Sequence, residues 1–476
     1  MIYMKKWTPL VIAVCLILAG CFISALASEK GVIAIDETNF PDPEFRTYIY
    51  SMIDKDQDNV LSLQEIEQTN IIDVCYREIE DLTGIDVFWN LEKLTCSFLK
   101  GLTELDVSRN AKLTMLDCRE CSLVSLTLNT ALTELYCGGN RLTALDVTRN
   151  SALEILDCDD NQLTTVDIAQ NPQLVYLNCS NNQLDRLDVS HNRRLIDLNC
   201  YVNKISQLDL SQNPELMYLD IYENELVSLN VTQNPELLEL SCSRNQLTML
   251  DTSQNPKLTY LSCGYNQLTL LNLSQNTALK ELFCHHNHIT SLDTSRSIDL
   301  EILNCASNRL TSLVVNRRLY ELDSAENCLV ALDLYGNTNL NSLSLIDQQS
   351  EIEVIQNAEN EWELDLATVV DGWDDCVMNV SISPEGVKCL GSVISWRNQE
   401  INPVVSYRYD TRALDRGASN INPYMNVTLV LKPVVLSSVP QTGDSANPTV
   451  LLILVVGSFV AIITLLAMRR HAVRIR

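Results

Sequence analysis

The chain has 476 residues, 46% of them apolar, with 34 Lys and Arg against 61 Asp and Glu, for a formal net charge of −27. That length exceeds what one compact core sustains, so several domains or a repeat array are expected. The apolar content excludes a disordered chain, the charge argues against nucleic acid and anionic lipid as main partners, and 14 Gly with 13 Pro exclude a collagen-like fibre.

Residues 1–27 read as a secretory signal. Lys5 and Lys6 precede an apolar run, and Ala25-Leu26-Ala27 fits a small-x-small cleavage site that leaves Ser28 first in the mature chain. A rival reading rests on Leu18-Ala19-Gly20-Cys21, which resembles a bacterial lipobox and would place a lipid on Cys21.

Residues 28–80 read as a small helical cap with an EF-hand-like loop. Asp42-Pro43-Glu44 is a helix start, with Asp as N-cap and Pro at the first helical position. Asp54, Asp56 and Asp58 then stand at loop positions 1, 3 and 5, Val60 at 7, Ser62 at 9 and Glu65 at 12. A calcium ion needs hard oxygens on alternate loop positions, and this spacing provides them. Asn59 replaces the usual glycine at position 6, where a left-handed backbone is needed. A capping box from Ser62 to Glu65 explains two of these residues without a metal, but not three crowded aspartates. A single loop points to a structural Ca2+ rather than a sensor.

Residues 81–347 repeat. Asn140, Asn161, Asn182, Asn203 and their successors lie 21 apart, as do Asn150, Asn171, Asn192 and theirs. The unit from Leu174 follows the leucine-rich-repeat rhythm L-x-x-L-x-C-x-x-N-x-L, then L-x-x-L-D-V-S-x-N. The expected fold is α+β of the repeat type: a leucine-rich-repeat solenoid of about thirteen repeats with a curved parallel β-sheet, roughly 60 Å long at ~4.8 Å per strand. Units around Asn129 and Asn316 are shortened to 19 residues. Cys96, Cys118, Cys137, Cys158, Cys179, Cys200, Cys242, Cys263, Cys284 and Cys305 occupy one inward position, interrupted by Ile221. Stacked in register they act as small hydrophobes, so free thiols are expected rather than a disulfide framework.

Positions flanking the inward residues face the concave surface. Early repeats offer Asp117, Glu120, Glu134, Asp157, Asp159 and Asp160; later ones offer Tyr176, Tyr201, Tyr218, Tyr222, Tyr260, Tyr265 and Phe283. An acidic patch beside an aromatic band suits a basic protein surface, or a glycan through stacking on sugar rings. Ordinary strand-forming tyrosines and solubilising acids are the competing explanation. His285-His286-Asn287-His288 is not read as a metal site, because Asn287 belongs to the asparagine series and the fold sets the spacing.

At residues 348–436 the period stops, and strand-like segments separated by turns predict a small β-sandwich that caps the array. Cys376 and Cys389, outside the ladder, are candidates for a disulfide. Residues 437–476 hold Val439-Pro440-Gln441-Thr442-Gly443, an uncharged apolar stretch over 450–468, then Arg469, Arg470, Arg474 and Arg476. These parts resemble the sorting signal of Gram-positive surface proteins, in which sortase cuts between Thr442 and Gly443 and joins the threonine to peptidoglycan. Val439 stands where that signal usually has Leu. A permanent membrane helix is the alternative.

Twenty-one-residue repeats, an inward cysteine ladder, a secretion signal and a sorting tail together resemble the internalin family, most closely its internalin J type. That resemblance implies a monomeric, cell-wall-anchored adhesin that binds a protein or glycan through its concave face. The calcium loop departs from the usual internalin cap. A structural or assembly protein that binds wall components or neighbouring cells is the second reading. No enzyme is expected: there is no phosphate loop, no G-x-S-x-G elbow, and few histidines for a triad.

Overall fold

The computed structural model describes residues 32–434, except 358–359, 372, 386 and 413–421. The signal site at Ala27 and Ser28, the sorting site at Thr442 and Gly443, and the apolar stretch 450–468 lie outside the described residues. Among those described, no helix is long and apolar enough to cross a membrane.

The solenoid is as expected. One parallel sheet of 14 strands runs in chain order from Ile71–Asp73 to Ser342–Ser344. Each strand has three residues and pairs in register with the next, so Leu156, Leu177, Leu198, Leu219, Leu240 and Leu261 form one inward column. Thirteen of the strands are those the repeat pattern predicts. The first, Ile71–Asp73, belongs to the cap segment and templates the array.

The two asparagine series hold the backbone where each turn leaves the sheet. Asn182 donates from Nδ2 to the carbonyls of Cys158, Cys179 and Ser180, and its Oδ1 accepts from the Leu163 N–H. Asn192, in the second series, donates to the carbonyls of Ile168 and Asn171. On the convex side most units turn through an aspartate whose carboxylate accepts a backbone N–H two residues on, as Asp188 does from Ser190. At the shortened units that aspartate is replaced by Thr127 or Val314, and the segment becomes a strand. Ser125–Thr127 pairs with Glu104–Asp106, and Ser312–Val314 with Ser291–Asp293.

Each of these turns also spends one residue in the left-handed region, just before the first-series asparagine or, after Glu120, before the cysteine that takes its place. Glu120, Asp160, Asn181, Val202, Glu223, Arg244, Tyr265 and His286 all have φ between 45° and 55°. A β-branched side chain is the worst occupant of that region. Val202→Asn, which copies the residue one repeat earlier, should therefore stabilise the chain by about 1 kcal/mol in a urea titration. An unchanged or lowered midpoint would show that the Val202 side chain gains more from packing than its backbone loses.

The ten ladder cysteines are fully buried and unpaired. Burial pushes their thiols up, that of Cys284 to about 12, so little thiolate forms. In the folded protein they should resist alkylation for hours at pH 8 while exposed Cys389 reacts at once, and all should react after unfolding without reductant. Few reactive thiols in that unfolded sample would show that disulfides form instead.

The disulfide considered between Cys376 and Cys389 is absent. Cys376 ends the short helical segment Trp373–Cys376 and is buried with its Sγ accepting from the Arg412 guanidinium at 3.2 Å, while Cys389 is exposed on the strand Lys388–Leu390. The terminal domain has one sheet of four strands, Gln348–Ile355, Tyr424–Val434, Val404–Asp410 and Val377–Ser383, and one of three, Trp362–Asp365, Val393–Trp396 and Lys388–Leu390. Val405, Tyr407, Met425 and Leu429 from the first share a core with Trp362, Ile394 and Trp396 from the second. The domain closes the solenoid directly. Gln348 takes over the asparagine role, accepting from the Leu329 N–H and donating to the Ser324 carbonyl, and the Tyr407 hydroxyl donates to the Val330 carbonyl.

Candidate functional site

At the N-terminal end, helix α1 (Pro43–Met52) starts at Asp42, whose Oδ1 accepts from the Phe45 N–H while Oδ2 accepts from Glu80 N–H. The second carboxylate oxygen thus pins the cap to the chain that enters the array. Helix α2 (Leu63–Gln68) starts at Ser62 through the capping box with Glu65. Between them, Asp54, Asp56 and Asp58 each bring a carboxylate oxygen within 4.8 Å of the others. Asn59 is left-handed at φ 65°, as its position in the loop requires. Val60–Ser62 pairs antiparallel with Val32–Ala34, which covers the loop's strand edge and buries Leu61.

The carboxylates divide into two kinds. Asp54 accepts from the Gln57 and Asn59 N–H groups, and Glu65 accepts from Lys55 N–H, Ser62 N–H and the Ser62 hydroxyl. Desolvation raises Glu65, but these hydrogen bonds outweigh it and hold its carboxyl below the usual range. Asp56 is pushed up, by desolvation and then by repulsion from Asp58 and Glu65. Such crowding of like charge is what a divalent cation relieves, and six oxygens from Asp54, Asp56, Asp58, the Val60 carbonyl, Ser62 and Glu65 are the right donor set for calcium.

On the concave face each strand contributes columns of outward side chains. Tyr176, Tyr218 and Tyr260 share the first with Asp197, Glu239 and Glu281; Asp157 and Phe283 lie in the second, with Asp220; Asp159, Tyr201 and Tyr222 lie in the third. Tyr265 is displaced to the left-handed turn at the rim. There it stacks on His286 with centroids 4.2 Å apart, under the Arg244 guanidinium at 4.9 Å, which also lies over Tyr222. The partners Arg244 and His286 were missed, although their spacing of 21 from Tyr265 was a usable signal. His285 packs on Gly264, where any Cβ would come within 2.8 Å of the ring.

The early acids do not form one free patch. Asp117 is bound by Arg119 at 2.8 Å, and Glu120 by Lys100 at 3.1 Å. Asp157 and Asp159 differ. Asp157 is 9% exposed and its Oδ1 has no hydrogen-bond partner. The Asp159 carboxylate lies over Gly138, where a Cβ would approach its Oδ1 to 1.9 Å. Burial, then Asp157 and Asp160, push Asp159 up to about 6; burial also raises Asp157, against the pull of Arg119. Tyr176 beside them is raised to about 12 by burial and then by Asp157 and Asp197.

A raised carboxyl binds its proton more tightly in the folded chain than in the unfolded one. Stability from this pair is therefore highest below about pH 4 and falls as pH rises toward 6. Asp157→Asn should raise the melting temperature at pH 7.5, leave it nearly unchanged at pH 4, and remove a proton uptake near pH 6 from a difference titration. A titration that survives the substitution would mean the two carboxyls do not interact.

No protein-family model matches the chain, and no curated protein matches it. Solved structures do. The functional domain of InlJ from Listeria monocytogenes, described as including a cysteine ladder, is 26% identical with a TM-score of 0.61, over 85% of this chain and 99% of that one. The internalin InlF from Listeria monocytogenes strain 4b F2365 is 20% identical with a TM-score of 0.55, over 65% of this chain and 97% of that one, a likeness of fold alone. The chain is thus a leucine-rich-repeat solenoid of internalin-like fold, and such a fold suits binding of another protein.

Proposed function

We propose that this chain is a cell-surface adhesin that grips a protein partner with the concave face of its repeats. One observation carries the reading: the solvent-facing column of half-buried Tyr176 and Tyr260, exposed Tyr218 and the acids between them sits on a scaffold whose own polar groups are otherwise largely spent on the backbone. Tyrosine gives large contact area at small entropic cost, which suits a binding face. The Asp54, Asp56, Asp58, Val60, Ser62 and Glu65 loop would hold Ca2+ as a structural ion that stiffens the cap. Cleavage between Thr442 and Gly443 would join the protein to the wall of a Gram-positive cell.

The test is a screen of the full chain, with calcium, against host glycans, matrix proteins, cells and bacterial wall fragments. A variant carrying Tyr201→Ala, Tyr222→Ala and Tyr260→Ala runs beside it. Binding to a host protein that the variant loses supports the adhesin. Binding to wall fragments alone, indifferent to the variant, replaces it with a surface-assembly role centred on residues 348–436.

A further inference from the structure

The first concave column alternates in chemistry. Tyr176, Asp197, Tyr218, Glu239, Tyr260 and Glu281 follow one per repeat, each facing the next across the register. At ~4.8 Å per strand, tyrosines recur every ~9.6 Å with an acid midway between them. None of the six is buried, and no ion pair among the described residues uses Asp197, Glu239 or Glu281.

Between Tyr218 and Tyr260 the face dips into a hollow of about 350 Å³ lined by Asp197, Asp220, Glu239 and Ser241. Beyond the Tyr176 end, Asp157 lies one strand away, buried and with its Oδ1 unpartnered.

We propose that this column binds an extended polyproline II segment of a partner protein that carries Lys or Arg at every third residue. The basic side chains lie on the acids and the intervening residues pack on the tyrosines. The proposal rests on the concave-face reading above and names its ligand. Repeat length selects the conformation. Three polyproline II residues advance ~9.3 Å, within ~0.3 Å of the tyrosine spacing. Alternate residues of a β-strand advance only ~6.8 Å. Two helical turns advance ~10.8 Å, so a helix drifts by more than 2 Å over the two intervals from Tyr176 to Tyr260. Aromatic-lined grooves are a known way to hold such segments, because the ligand is already extended and loses little entropy. Cationic side chains beside tyrosine faces gain further from the ring quadrupole.

The test measures fluorescence anisotropy of a labelled peptide of repeated Pro-Pro-Lys triplets with the purified full chain. A second peptide has the same composition with its lysines gathered at one end, and a third replaces Lys by Glu. The spaced peptide should bind, the gathered one at least about fivefold more weakly, and the acidic one not at all. Tyr218→Ala and Glu239→Gln should each weaken the spaced peptide by about tenfold. Both side chains are exposed, so neither change touches the core. Equal affinity for the two lysine peptides, or indifference to both substitutions, overturns the proposal. If the peptide fails while a protein ligand from the screen is released by Tyr218→Ala, the binding face stands and its ligand chemistry falls. If neither depends on Tyr218, both readings fall.

Discussion

Replacing Asn182 by Ala should cost about 3–5 kcal/mol, and replacing Asn192 by Ala in the same repeat about 1–3 kcal/mol. Both are asparagines buried between turns, and composition or period would rank them alike. Their hydrogen bonds differ. Asn182 uses both ends of its amide: Nδ2 reaches three carbonyls, and Oδ1 takes the Leu163 N–H at 2.9 Å. Truncation leaves a buried N–H with no acceptor, the orphan that folded proteins tolerate least. Asn192 donates to two carbonyls, but its Oδ1 has no partner, as is also true of Asn171, Asn213 and Asn234. Removing it therefore also removes an unsatisfied oxygen, which offsets part of the loss. Urea titrations of the full chain, followed by the far-ultraviolet signal, should show the larger midpoint shift for Asn182→Ala. In a solenoid each turn contacts its neighbours alone, so the damage should appear as a separate early transition in the middle of the array. The reverse order would mean that Asn192 carries a role its hydrogen bonds do not reveal.

The array was legible because one period governs everything in it. A residue that recurs every 21 positions must occupy the same place in each turn, so the inward cysteines, both asparagine series and the strand count followed from spacing. What breaks the period was harder to read. Ile71–Asp73 lies within the cap segment, before the repeats begin, yet it pairs with Lys93–Thr95 and starts the sheet. The convex strand pairs form where a shortened unit, with Thr127 or Val314 in place of the turn aspartate, lies beside a full one that keeps Asp106 or Asp293, a small change in a long pattern. Ion pairs across turns were also hidden. Lys100 and Glu120 are 20 apart in the chain but adjacent in space, and so a nominal acidic patch is partly neutralised. The tyrosine-and-acid alternation emerges when the repeats are aligned as columns rather than read along the chain. Cys376 and Cys389 are candidates for a disulfide only because both lie outside the ladder; the fold leaves Cys376 buried at the end of a short helix and Cys389 exposed on a strand.

Calcium should delay unfolding of the cap, and Asp56→Asn with Asp58→Asn should abolish that delay without weakening the calcium-free protein. These two residues separate metal binding from folding better than Asp54 or Glu65. Asp54 holds two backbone N–H groups, and Glu65 holds the capping box, so losing either harms the loop with or without metal. Asp56 and Asp58 crowd one another, and Asn at 58 still accepts from the Val60 N–H that Asp58 now bonds. Extracellular calcium modules bind at about 10⁻⁴–10⁻³ M. At a hundredfold excess over such a constant, linkage supplies about 2.7 kcal/mol. That gain should appear at the N-terminal end, because Asp42 ties α1 to Glu80 and a terminal cap limits fraying of the first turns. Hydrogen exchange around Ile72 and Leu94 in the first two strands should slow with calcium in the native protein and not in the double variant. Equal slowing in both would place calcium elsewhere, and no slowing in either would leave the loop as a capping box with crowded acids. A fall in the melting temperature of the calcium-free double variant would show instead that the aspartates serve the fold directly.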